Sequence, residues 1–220
     1  MPDSEILLAV WLSVKLASAT TLILLMLGLP TAWWLSQTRS PFKPVVEALI
    51  TLPLILPPTV LGFYLLVLFA PTHPVGGLWQ SVFDSTLVFS FYGLLIGSVI
   101  YSMPFVVQPI RDGFKQLDHD LLDVAQTMGA SCWQKCRFVI FPASKHAILT
   151  GSILGFAHTV GEFGVVLLIG GNIPGETRVL SIALYDLIES MQMEAANQVA
   201  GGLLGFSFLI LFLVSYLQKR

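Results

Sequence analysis

Five long apolar runs alternate with shorter polar segments along this chain: Leu16 to Ser36, Val45 to Ala70, Thr86 to Ile110, Ala147 to Ile169 and Val199 to Leu217. Each is near or above the ~20 residues with which a helix crosses ~30 Å of hydrocarbon. The pattern predicts an all-α, polytopic integral membrane protein with about five transmembrane helices, with residues 1–220 forming a single transmembrane domain. The first run has room to begin earlier, at Ile6, and no basic segment or small-residue cleavage site precedes it, so it is expected to be a retained helix. Pro53, Pro57 and Pro58 remove three amide donors from the second run and free the carbonyls of Leu49, Pro53 and Leu54, so that crossing is expected to bend or break.

Between the third and fourth runs lies the one sizeable polar segment, about residues 111–146. Asp118 and Asp120 offer N-caps, apolar residues follow at Leu121, Leu122, Val124, Ala125 and Met128, and Gly129 is a stop, which together describe a short amphipathic helix. Ser131 can cap a second helix, in which Trp133, Cys136 or Arg137, and Ile140 recur before Pro142. Two short exposed helices suit docking into a groove on a partner, and equally suit lying on lipid headgroups.

Composition and charge add class and sidedness. With 55% hydrophobic and 11% charged residues the chain cannot be an ordinary soluble domain. Arg39 and Lys43, then Arg111, Lys115, Lys135, Arg137 and Lys145, then Lys219 and Arg220 all fall on one side of the five crossings, the cytoplasmic side under the positive-inside bias, so the N-terminus is expected outside and the C-terminus inside. Lys15 stands 24 residues before Arg39, about 36 Å of helix, which places it at the outer interface. Cys132 and Cys136 have no third ligand nearby and read as packing residues. Nothing in the sequence points to nucleic acid, a cofactor or a resident metal, and no Gly-x-x-x-x-Gly-Lys-Ser/Thr loop is present to cradle ATP phosphates.

Two places within the membrane carry candidate chemistry. Pro57 and Pro58 can restart a half-helix whose free amides, at Thr59 and Val60, present a positive dipole end to an anion; a simple packing kink is the alternative. Glu162 lies about 22 Å beyond Ala147 along a helix, with His158 one turn below it, and an ionisable residue at that depth is a functional candidate. A carboxylate would repel an anionic cargo, so Glu162 is expected to hold the bundle or a gate through hydrogen bonds, with Gly161 and Gly164 allowing close helix approach. On the outer side Asp3, Glu5, Asp84, Glu176, Asp186, Glu189 and Glu194 face the single arginine Arg178.

The run Asp123, Val124, Ala125, then Gly129, then Val139, Ile140, Phe141 and Pro142 resembles the EAA loop of bacterial ABC-importer permeases, departing from it at Asp123 for Glu, Val124 for Ala and Phe141 for Leu. Leu52 to Pro58, Gly161-Glu162-Phe163-Gly164, and Asn172-Ile173-Pro174-Gly175-Glu176-Thr177-Arg178 resemble the molybdate-permease branch, with tungstate and sulfate or thiosulfate permeases as the neighbouring alternatives. The resemblance implies an ABC-importer permease fold in which Asp123, Ala125, Gly129, Ala130, Trp133 and Pro142 couple to cytoplasmic ATP-binding subunits. It further implies a second copy of the chain in the lipid membrane and an external oxyanion-binding protein, which Glu176 and Arg178 would contact. The pathway or gate would involve Pro57, Pro58, Thr59, His158 and Glu162. A secondary carrier driven by ion gradients would instead call for paired intramembrane charges and repeated broken helices, and a plain membrane anchor has no use for a triple-proline helix.

Overall fold

The structure, a computed structural model, describes residues 3–218; Lys219 and Arg220, the third basic segment, lie outside the described residues. The elements in order are α1 (Asp3–Gln37), α2 (Lys43–Ile55), α3 (Pro58–Phe69), α4 (Pro74–Phe83), α5 (Phe91–Lys115), α6 (His119–Thr127), α7 (Cys132–Lys135), a π-helical turn (Cys136–Ile140), α8 (Phe141–Gly161), α9 (Gly164–Gly170), α10 (Leu180–Glu189) and α11 (Met193–Gln218). Four helical stretches are long and apolar enough to cross a membrane, and α2 with α3 makes a fifth candidate bent by 113°. The first helix starts well before Leu16, as the sequence allowed, and the second run breaks where its prolines stand.

The centre of the bundle is α1, α5 and α8. Leu24, Leu35, Val106, Val107, Ile110 and Phe114 are buried together there, with Trp33 packed edge-on against Phe114. Small residues permit the close approach, since helix association in lipid gains mainly from tight packing. A Cβ on Gly155 of α8 would stand 2.4 Å from Val106 Cγ2 of α5, and one on Gly113 of α5 would stand 2.2 Å from Ala147 Cβ of α8. At one end of the bundle Arg111 pairs with Glu47 at 3.2 Å, bringing the second and third basic-flanked helices together. At the other end Lys15 stands 4.4 Å over the Phe91 ring at the start of α5, a cation–π seat for an interfacial lysine.

Three expectations need correction. The run Ala147 to Ile169 is not one helix: it breaks at Glu162–Phe163, and the rest of the run continues as α9. The second short helix of the polar segment is not separate either. It passes through the π-turn directly into α8: the Phe141 amide reaches back five residues to the Cys136 carbonyl, and this widened turn accommodates Pro142, which has no amide to continue the ladder. Finally, Gly161 has open space around its Cβ position, so of the two glycines named for helix approach Gly164 alone serves it. The helices α4 and α10 lie in stretches the apolar pattern left unassigned.

Gly155→Leu should lower the apparent unfolding midpoint in detergent, in keeping with overpacking costs of about 1–3 kcal/mol, whereas Gly161→Ala should leave it unchanged. A thermal scan of both variants checks this.

Candidate functional site

The two helix breaks meet. Each residue before a proline is pushed out of the helical region, so Leu56 (φ −68, ψ 136) and Pro57 (φ −55, ψ 134) are extended and α3 restarts at Pro58. At the second break Glu162 (φ −67, ψ 132) and Phe163 (φ −128, ψ −61) separate α8 from α9. A Cβ on Gly164, the first residue of α9, would lie 2.8 Å from Pro58 Cβ and 3.7 Å from the Thr59 nitrogen. Farther along, one on Gly62 would lie 3.0 Å from Leu168. The helices α3 and α9 therefore start side by side, and Pro57, Pro58, Thr59 and Glu162, far apart in sequence, share one locality. Of the two amides expected free, that of Val60 donates to the Pro57 carbonyl at 2.9 Å. Thr59 stands exposed at the helix start.

Glu162 is 3% exposed, and among the described residues neither of its carboxyl oxygens has a hydrogen-bond partner. The Ser98 hydroxyl of α5 is the polar group set beside it. What ties the break down is its main chain: the Ser181 hydroxyl of α10 donates to the Glu162 carbonyl. Ser98 is the donor through which the expected bracing of the Glu162 side chain would run. One turn earlier His158 stacks on Phe105 with ring centroids 3.8 Å apart, and its Nδ1 lies 2.9 Å from Ser102 Oγ. Tyr101 flanks the ring at 4.9 Å. Ser98, Tyr101, Ser102, Phe105 and Ser181 were not singled out from sequence; the polar pair Ser98 and Ser102, one helical turn apart in an apolar run, was the available signal.

The polar segment matches its reading closely in the first helix. Asp118 caps α6 through the Asp120 amide at 3.0 Å, and Gly129 (φ +79) ends it in the left-handed conformation, with the Ala130 amide donating to the Ala125 carbonyl. Ser131 and Gln134 form a capping box at the start of α7. Lys135 Nζ donates to Gln126 Oε1 at 3.3 Å and joins the two helices. Asp123 and Pro142 are exposed, Met128 and Trp133 strongly so at 82% and 68%, and Ala125 and Ala130 are half-buried. At the opposite end of the molecule Glu176 is exposed. Arg178 is not: it donates to Glu5 at 3.1 Å and to Asn172 at 2.5 Å, and Asn172 in turn donates to Asp186, so this arginine is taken up within the chain.

A family model described as "Binding-protein-dependent transport system inner membrane component" matches residues 24–220. The chain belongs to this family. The permease is 50% identical to the molybdenum transport system permease protein ModB of Azotobacter vinelandii, over 100% of this chain and 97% of that one. It is 33% identical to the sulfate transport system permease protein CysT of Escherichia coli strain K12, over 88% of this chain and 69% of that one. A solved bacterial alginate ABC transporter in complex with a pentasaccharide-bound periplasmic protein superimposes with a TM-score of 0.72 at 15% identity, covering 97% of this chain and 78% of that one. An amino acid ABC transporter gives 0.66 at 21%, covering 99% and 94%. These two likenesses establish the fold, an all-helical ABC-importer permease fold. The permease is therefore a multi-pass protein of the cell inner membrane and works with an external binding protein.

Arg178→Leu should free the start of α1 from the α9–α10 connection, at a cost of about 1 kcal/mol for a partly exposed pair. Hydrogen exchange at residues near Glu5 should quicken while that of α5 stays as it was.

Proposed function

We propose that this permease carries molybdate into the cell as the membrane subunit of an ATP-driven importer. The observation that carries the reading is the 50% identity, end to end, to a molybdenum transport permease. Two copies of the chain form the pathway, two ATP-hydrolysing subunits dock on the cytoplasmic side, and an external oxyanion-binding protein delivers cargo. The chain itself does no covalent chemistry. Sulfate is the second reading, supported by the 33% relative. Uptake of molybdate, tungstate and sulfate by vesicles holding the complete transporter, each with binding protein and ATP, separates them, and a preference for sulfate would overturn the proposal.

The basic end of the bundle faces the cytoplasm. Engineered cysteines near His73 or Gly175 should then react with an impermeant thiol reagent on intact cells, and ones near Lys115 should not.

Asp123, Ala125, Gly129, Ala130, Trp133 and Pro142 form the coupling segment, with exposed Met128 and Trp133 offering the apolar contact surface. Gly129 has nothing within 4 Å of its Cβ position, so any effect of a side chain there comes from its φ of +79. Holding a β-branched residue in that conformation costs roughly 1–2 kcal/mol, so Gly129→Val should leave the permease inserted and weaken co-purification of the ATPase subunit, while Gly129→Asn should retain it.

Pro57, Pro58, Thr59, His158 and Glu162 mark the pathway or gate, where two broken helices meet at membrane depth. Glu176 is the exposed group offered to the binding protein. At Glu162, substitution by Gln keeps the shape and should lower uptake modestly. Glu162→Ala leaves a buried cavity beside Ser98 and should lower it much further. Equal loss in both would mean that the negative charge itself is required.

A further inference from the structure

The hydrogen bonds around His158 have one consistent solution. Thr159 Oγ1 donates to the Gly155 carbonyl at 2.9 Å, an acceptor only, so its single proton is committed. The 3.0 Å contact between Ser102 Oγ and Thr159 Oγ1 must then be a donation from Ser102, which commits that proton too. The 2.9 Å contact between Ser102 Oγ and His158 Nδ1 is left to the imidazole, whose Nδ1–H donates. A chain of three donations, from His158 through Ser102 and Thr159 to the α8 backbone, thus fixes the ring plane flat against Phe105 at a 3.8 Å centroid distance and 24°. The Nε2 edge has no partner among the described residues and is not among the buried unpaired atoms.

The position of this stack is informative. Along α5, Tyr101, Phe105, Gln108 and Asp112 follow at helical spacing and so share a face. On α8, Leu154 and His158 do the same. On the side of the stack toward the basic end of the bundle lies a cavity of about 240 Å³, lined by Leu54, Phe105, Gln108, Asp112 and Leu154 among others. On the other side lies the junction of the helix breaks at Glu162. Polar groups along one face of a membrane helix mark a route that water or ions share, and here the stripe of Tyr101, Gln108 and Asp112 on α5 is interrupted where Phe105 packs on the His158 ring. We infer that the Phe105–His158 stack is the constriction that closes the pathway, and that Ser102 is the residue that positions it. This rests on the transport reading above and gives His158 a specific part in it: the ring seals, and the Ser102 bond holds it in the sealing orientation.

The test is retention of anion by vesicles holding the full transporter with its ATPase subunits, preloaded with radiolabelled molybdate and sulfate and left without ATP. Phe105→Ala and His158→Asn should lose retention; the asparagine keeps a donor for Ser102 but has no ring. His158→Phe keeps a ring without the hydrogen bond and should retain both anions. Ser102→Ala should leak in the native background and not in the His158→Phe background, because a phenyl ring packed on Phe105 needs no hydrogen bond to hold it. Retention in Phe105→Ala, or equal leakage from His158→Phe and His158→Asn, would overturn the inference. Co-purification of the ATPase subunits confirms that each variant is assembled. Failure of the unmutated transporter to pump molybdate with ATP would count against the function proposed above, while retention in the variants would still be read on both anions.

Discussion

Hydrocarbon offers no hydrogen bonds, so every main-chain amide and carbonyl inside the membrane must find a partner within the protein. Helices meet that demand automatically; breaks in helices do not, and this fold contains two. It places them against each other and closes the accounts locally. The Pro57 carbonyl takes the Val60 and Leu61 amides, the Glu162 carbonyl takes the Ser181 hydroxyl, and the end of α9 is covered by the Phe89 amide on the Ile169 carbonyl and the Thr177 hydroxyl on that of Gly170. The turn at Phe89 before α5, the helix α10 and the connection around Thr177 thus have a common purpose, which is to let the chain leave helical geometry at membrane depth. Irregular backbone of this kind persists only where protein or a water-filled cavity surrounds it.

The packing is graded around that junction. α1, α5 and α8 are drawn together by glycines that meet valine and alanine side chains, and they form the firm part of the bundle. In contrast, α11 has its Leu204, Phe208, Leu209 and Phe212 outward and open space at Gly201, Gly202 and Gly205. The breaks sit between these extremes, held by a handful of side-chain hydrogen bonds and by ring stacking. Stability of this sort is local, and elements held so are the ones free to change arrangement.

What the sequence made legible follows from which signals are local. Asp118, Gly129 and Ser131 act on their own neighbours, so the caps of α6 and α7 could be read directly, and three prolines within six positions announce the first break. The second break carries no proline, and the few polar residues between Ala147 and Ile169 are compatible with a continuous helix; what meets the chain where the helix stops at Gly161 is long-range contact with Pro58 and Ser181. Arg178 is a similar case, since its partner Glu5 is 173 positions away. The stacking of His158 on Phe105 depends on the register of two helices separated by a long connection, and no pattern within either helix fixes that register.

The π-turn at Cys136–Ile140 has a mechanical meaning. Because the helix carries on through Pro142, α7, the turn and α8 make one continuous rod from Cys132 to Gly161, 30 residues long, or about 45 Å at the α-helical rise. A rod of that length behaves as a lever. Its exposed end carries Trp133, and its far end carries His158 just before the break at Glu162. The widened turn near the base is the one place along the lever where the hydrogen-bond ladder changes step, and hence the natural place for twist to be taken up or released.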